Sequence, residues 1–389
     1  MNIITILLTV ILLGNCDIAQ TLENNIDSEI IELSMYDKDA SAETKALYAN
    51  LWAIRKQGCM VGHHESLLYG RNWNNEPGRS DIKDICGDYP AVVSLDFAKI
   101  EYQADSSING PLFNDVRRVT KEAYARGEVI TYCWHADNPL TGGTAWDNSS
   151  KKVVSEILKD GSAINIKFKT WLDNLAAFAN TLTDNNGRPI PIIFRPFHEH
   201  TQTWNWWGKK CATEEEFIGL WRFTLNYLRN EKQIHHFIYA ISPQMDFVQP
   251  SEDLLFRWPG DDYVDFLGMD CYHGTNIEAF TNNLTNLSKL SHQKMKPFGV
   301  TETGLEGLGN NYNEYWTNEM LSPLSGRSAS LVVFWRNMYD PKGTRNHFYA
   351  PFKGQSSSNN FLKFYKSQVT LFSKDLPPMY QMPKGYEIK

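Results

Sequence analysis

From Gln57 onward, short apolar runs alternate with longer amphipathic segments, and that rhythm constrains this chain more than any single motif. Eight runs can be followed: Cys59 to His64, Ala91 to Ala98, Val129 to His135, Pro191 to Glu199, Phe237 to Gln244, Val264 to His273, Pro297 to Thr303 and Leu331 to Asn337. Parallel strands linked by helices produce this pattern. The clearest helix spans Thr213 to Arg229, where Thr213 and Glu216 form a capping box ahead of Phe217, Leu220, Trp221, Leu225 and Leu228. Another follows Ser162, and others are expected at Asp115 to Arg126, Ile277 to Leu290 and Asn359 to Phe372. Eight strand–helix units over roughly 300 residues predict an α/β fold, a single (β/α)8 barrel with its site at the C-terminal ends of the strands. No glycine-rich phosphate motif opens a helix, so an open nucleotide-binding sheet has no support.

The rest of the chain narrows the function classes. With 389 residues and 42% hydrophobic content, one barrel-sized domain can bury its own core, and residues 41–389 are assigned to it. A net charge of -7 without any Lys/Arg run excludes nucleic acid as a natural partner. The apolar run from Ile3 to Leu13 is too short for the ~20 residues that cross a bilayer. It reads as the core of an export signal over residues 1–19, with lipid attachment at Cys16 as the competing form, so a periplasmic or secreted protein is expected. The polar stretch from Gln20 to Asp39 is a leader, either unstructured or laid as a strap across the barrel. Without Cys16, the cysteines are Cys59, Cys86, Cys133, Cys211 and Cys271, an odd set with no CxxC spacing that supports neither structural zinc nor a dithiol centre. A monomer without cofactor or metal is expected.

In barrels the chemistry sits where strands end. The ionisable and aromatic residues there are His63, His64 and Glu65; His135 and Asp137; Arg195, His198 and Glu199; Asp270, Tyr272 and His273; Glu302; and Trp335 with Arg336. Strand alternation groups Arg195, Phe197 and Glu199 on one face, Gly268, Asp270 and Tyr272 on another, and Phe298, Val300 and Glu302 on a third. Glu199 and Glu302 would then face each other across one mouth, with Arg195 and Tyr272 in reach. A lone strand-end glutamate is more often a solvated surface group, and a lone His198 or Trp335 a packing residue. Two carboxyl groups in aromatic, polar surroundings reverse that weighting, because glycosidic cleavage needs one to protonate the leaving oxygen and one to capture the oxocarbenium-like carbon. A carboxylate fed by Arg195 and Tyr272 keeps its charge, which makes Glu302 the nucleophile. One lined by aromatics beside a second negative charge keeps its proton, which makes Glu199 the acid.

The run Arg195-Pro196-Phe197-His198-Glu199, followed by Trp204-Asn205-Trp206-Trp207-Gly208, resembles glycoside hydrolase family 26, whose principal activity is β-1,4-mannanase. The resemblance continues through Trp258-Pro259-Gly260-Asp261-Asp262-Tyr263-Val264-Asp265, Asp270 and Tyr272, Thr301-Glu302-Thr303-Gly304 and Phe334-Trp335-Arg336, and covers most of the chain after Trp52. It implies a retaining (β/α)8 hydrolase of β-mannan, with Glu199 on strand four as acid/base and Glu302 on strand seven as nucleophile. It further implies that Tyr272 hydrogen-bonds the nucleophile, Trp335 floors the attacked sugar, Trp204 forms a platform beside the acid, and His198 stands where the wider clan has Asn. His64, His135, Arg195 and Arg336 are expected as further substrate contacts. His200-Thr201-Gln202-Thr203 departs from the family pattern after the acid, which alters the leaving-group side. Internal cutting and mannobiose release both occur in the family, and the loop from Asp137 to Asp160 is the candidate determinant. Two rivals stand against this reading: a metal-dependent hydrolase using His63, His64 and Glu65 or His198, Glu199 and His200, and a non-catalytic glycan-binding barrel.

Overall fold

Eight parallel strands close on themselves. The computed structural model describes residues 30–309 and 312–389. Its barrel strands are β1 (Cys59–His64), β2 (Val92–Asp96), β3 (Val129–Trp134), β4 (Ile192–Pro196), β5 (Phe237–Ile241), β6 (Phe266–Cys271), β7 (Phe298–Thr303) and β8 (Leu331–Phe334). Each pairs with the next, and β8 returns to β1 with Leu331 opposite Met60 and Phe334 opposite His63. Closure leaves no open barrel edge to be blunted.

The helices named here are α1 (Ala42–Ala53), α2 (Asp81–Cys86), α3 (Phe113–Ala125), α4 (Ala163–Ala179), α5 (Glu214–Asn226), α6 (Ile277–Lys294) and α7 (Ser358–Tyr365). The capping box of α5 is formed in both directions, Thr213 accepting from the Glu216 N–H at 3.2 Å and Glu216 from the Thr213 N–H at 2.8 Å. After β5 the crossover uses the short turn Ser251–Leu255 in place of a full-length helix, whereas after β7 a wide helical segment, Trp316–Leu321, runs on into Ser322–Leu324.

Alternation along each strand divides the core in two. Outward-facing Val61, Val93, Ile130, Phe194, Tyr239, Met269 and Val332 pack against the helices through Val116, Leu172, Leu220, Leu225, Leu284 and Phe361. Inward-facing Met60, Val92, Val129, Ile193, Ile238, Phe266 and Leu331 meet Leu47, Tyr48 and Leu51 of α1, which plugs the N-terminal end. Further along the strands the interior turns polar, and His64, Ser94, Asp96, Cys133, Arg195 and Asp270 are all buried there. With the floor sealed by apolar side chains, only the C-terminal mouth can admit a polar ligand.

The described end of the leader is a strap: Ile31–Leu33 pairs in parallel with Tyr386–Ile388, and the Tyr36 N–H donates to Asp265 at 2.7 Å. The export signal expected over residues 1–19, Cys16 and residues 20–29 lie outside the described residues. Cys59, Cys86, Cys133, Cys211 and Cys271 are all free thiols. No described helix is long and apolar enough to cross a membrane.

Candidate active site

Two local irregularities bring the glutamates to the mouth, and both depart from simple alternation. Along β7, Val300 sits opposite Met269, but the next paired residue is Glu302, opposite Asp270; Thr301 is the extra residue of a bulge. Phe298 and Val300 therefore lie in the outer core and do not share a face with Glu302. The inserted residue turns Glu302 inward beside Thr301, whose hydroxyl donates to Asp270 at 2.8 Å. The β4 strand ends at Pro196, which has no N–H to continue a ladder. Beyond it Phe197 and Glu199 take φ of 50° and 54°. Phe197 consequently leaves the face of Arg195 and packs outward among Trp134, Trp206 and Trp207. Left-handed conformations of such residues cost about 1–3 kcal/mol each. They are held by the Glu199 N–H donating to the Ser242 carbonyl at 2.8 Å and the Trp207 indole donating to the His198 carbonyl at 2.7 Å.

At the mouth, carboxyl oxygens of Glu199, Glu302 and Asp270 all lie within 4.8 Å of one another. The cation that makes this arrangement tenable is Arg195, which donates to Asp270 at 2.7 Å and, through its other terminal nitrogen, to Glu302. The Tyr272 hydroxyl donates to the second Glu302 oxygen at 2.8 Å, so both oxygens of that carboxylate are oriented. Glu199 has fewer partners, accepting from the Trp204 indole at 2.7 Å. Burial and, after it, the negative charge of Glu302 push the Glu199 carboxyl up to about 7, against the opposing effects of Trp204, His135 and Arg195.

A relay of rings lies beside the carboxyls. Asp96 and His135 Nδ1 are 2.6 Å apart, and His135 Nε2 is 3.1 Å from His198 Nε2. Burial favours a neutral His135, but Asp96 outweighs it and raises the ring, whereas burial and then Arg195 hold His198 well below the ordinary histidine range. His135 is thus the more basic of the two rings. Trp335 stacks on His64 at 4.1 Å between centroids, and His64 Nδ1 is 2.8 Å from the Ser94 hydroxyl.

Glu199, Glu302, Arg195, Tyr272, Trp204, His198, His135, His64 and Trp335 are therefore brought together. Arg336 stands at the edge and lines a cavity of about 750 Å3 together with Tyr69, Asn109, Tyr339, Lys342 and Arg345, a lining to which neither glutamate contributes. His200 does not converge with His198: its Nε2 is 3.1 Å from the Phe256 carbonyl and its ring stacks on Phe217 in the helix layer. His63 and His64 take opposite faces of β1, and neither ring nitrogen of His63 has a partner. His273 stacks outward on Phe280, and Asp137 is held by Lys99 at 2.7 Å. Sequence reasoning passed over Asp96, although it ends β2 as an ionisable residue and the strand-end rule would have flagged it. It also passed over Trp146, half exposed with its ring 5.3 Å from His135, for which a loop sequence carries no signal.

A closed (β/α)8 barrel with two carboxyl groups facing each other at its C-terminal mouth is the architecture of a glycosidase. The family model for glycosyl hydrolase family 26 matches residues 36–307, and the chain belongs to that family. A family 26 β-mannanase from Bacteroides ovatus superposes with a TM-score of 0.84 at 37% identity, over 88% of this chain and 98% of that one. The catalytic domain of a family 26 endo-β-1,4-mannanase from Bacillus sp. JAMB-750 gives 0.84 at 29% identity, over 93% and 99%. Among curated proteins, a mannan endo-1,4-β-mannosidase of Bifidobacterium adolescentis is 29% identical over 88% of this chain. The chain spans 36% of that relative's length, and 61% of the length of a similar mannosidase from Caldalkalibacillus mannanilyticus.

Proposed function

We propose that the protein hydrolyses β-1,4-mannosidic bonds in galactomannan, glucomannan and manno-oligosaccharides with retention of configuration. The observation that carries this is the separation of the Glu199 and Glu302 carboxyl oxygens, within 4.8 Å. Retaining enzymes place their carboxyl groups about 5–5.5 Å apart, whereas inverting enzymes leave about 6.5–9.5 Å for a water. The mannan specificity is drawn from relatives described as β-mannanases.

In the first step the Glu302 carboxylate attacks the anomeric carbon, and the C–O bond to the leaving sugar breaks as Glu199 gives that oxygen its proton. In the second, the Glu199 carboxylate takes a proton from water, whose oxygen bonds to the anomeric carbon and displaces Glu302. A group poised near 7 can serve as both acid and base at neutral pH. Trp335 and the His64–His135–His198 edge form the bed of the attacked sugar, and the cavity beside Arg336 receives the sugars that remain on the enzyme. The apolar Ile3 to Leu13 run supports export to the periplasm or beyond, which fractionation of expressing cells would check.

Variants separate the two roles. Glu199→Ala loses turnover of natural mannan but is still glycosylated by substrates with activated leaving groups, while Glu302→Ala loses both. Equal loss of both activities in the Glu199 variant would overturn the assignment, and a wild-type protein that binds mannan without releasing reducing sugar would favour the non-catalytic reading.

A further inference from the structure

The loop after β5 holds an aromatic ring in water by a firmly fastened backbone. Phe247 is 73% exposed, and its neighbour Val248 51%. Exposure of single apolar side chains needs no explanation, but the fastening is unusual for a loop tip. Fully buried Asn283 of α6 donates to the carbonyls of Met245 at 3.0 Å and Phe247 at 2.7 Å, while Asn282 donates to the Gln249 carbonyl at 3.0 Å. Three side-chain contacts to carbonyls thus hold the backbone on either side of Phe247.

That loop is also joined to both halves of the site. The Gln244 N–H donates to the Thr201 hydroxyl at 2.9 Å, two residues past Glu199. The Met245 N–H donates to the Asp270 carbonyl at 2.8 Å, and Asp246 accepts from the Tyr272 N–H at 2.7 Å. In the reading above Glu199 protonates the leaving oxygen, so the departing sugars lie on the Glu199 side.

We propose that Phe247 is a sugar-stacking platform for the leaving-group end of the mannan chain, beyond the first departing sugar. This rests on the hydrolase reading above and adds a specificity-determining residue to it. A rigid aromatic with two rotatable side-chain bonds loses little entropy on stacking, and the apolar face of a pyranose supplies the matching surface. The departure from the family pattern at His200-Thr201-Gln202-Thr203 lies where this loop is anchored.

The test compares two substrates on Phe247→Ala and Phe247→Tyr. One is mannohexaose; the other is an aryl β-mannobioside, whose leaving group ends at the first position. For Phe247→Ala, kcat/KM on mannohexaose is expected to fall about tenfold, the size of one lost aromatic anchor, mainly through KM, with less than a twofold change on the aryl substrate. Phe247→Tyr restores the hexaose value. Equal losses on both substrates, or no loss on mannohexaose, would overturn the platform. A wild-type enzyme inactive on both would instead refute the hydrolase reading on which it rests.

Discussion

Replacing Trp204 by Phe keeps a ring beside the acid but removes the indole N–H that reaches Glu199 at 2.7 Å. A hydrogen bond to a charged group contributes about 1.5–3 kcal/mol net. The protonated acid retains roughly half of that through its carbonyl oxygen, so the difference between its two forms is about 0.8–1.5 kcal/mol. At 1.36 kcal/mol per unit this shifts the Glu199 pKa by about 0.5–1 unit. The N–H favours the ionised form, so its loss raises the pKa further above the ordinary value. Glu199 must carry its proton to act as acid, and activity disappears as pH rises through its pKa. The alkaline limb of kcat/KM, expected near 7 in the wild type, should therefore move upward in Trp204→Phe. A limb that stays in place or moves down would refute both the role of the indole and the assignment of that limb to Glu199.

Three other perturbations follow from contacts around the carboxyls. Arg195→Met leaves Asp270 and Glu302 buried without their shared counter-charge; denaturant unfolding should show a loss of about 3–5 kcal/mol, partly recovered by adding Asp270→Asn. Tyr272→Phe frees one Glu302 oxygen and should lower kcat/KM about 10- to 100-fold, the equivalent of one charge-assisted hydrogen bond, with a melting temperature near that of the wild type. Asp96→Asn removes the charge that raises His135, so the imidazole, titrated by NMR, should lose its proton at lower pH than in the wild type.

Strand positions were readable because the short apolar runs end in polar residues: Cys59–His64 was legible to the residue, and the capping box at Thr213 fixed where α5 starts. The route by which the glutamates reach the mouth was not. A bulge at Thr301 and two left-handed residues after Pro196 are local backbone events that restore the facing which alternation had predicted by a different path. Phe298, Val300 and Phe197 were accordingly misplaced even though the carboxyls converge. Loop partnerships such as Trp204 with Glu199, or Asn283 with the Phe247 carbonyl, join segments separated in sequence by folding alone and leave no periodic signature.

Retention through Glu302 requires a covalent bond between its carboxylate and the sugar. A 2-deoxy-2-fluoro-mannobiosyl fluoride, which reacts quickly in the first step and slowly in the second, should add one glycosyl mass per chain. Peptide mass spectrometry is predicted to find that mass on Glu302. A label on any other residue, or turnover of the reagent with no covalent adduct and direct release of the inverted sugar, would contradict it.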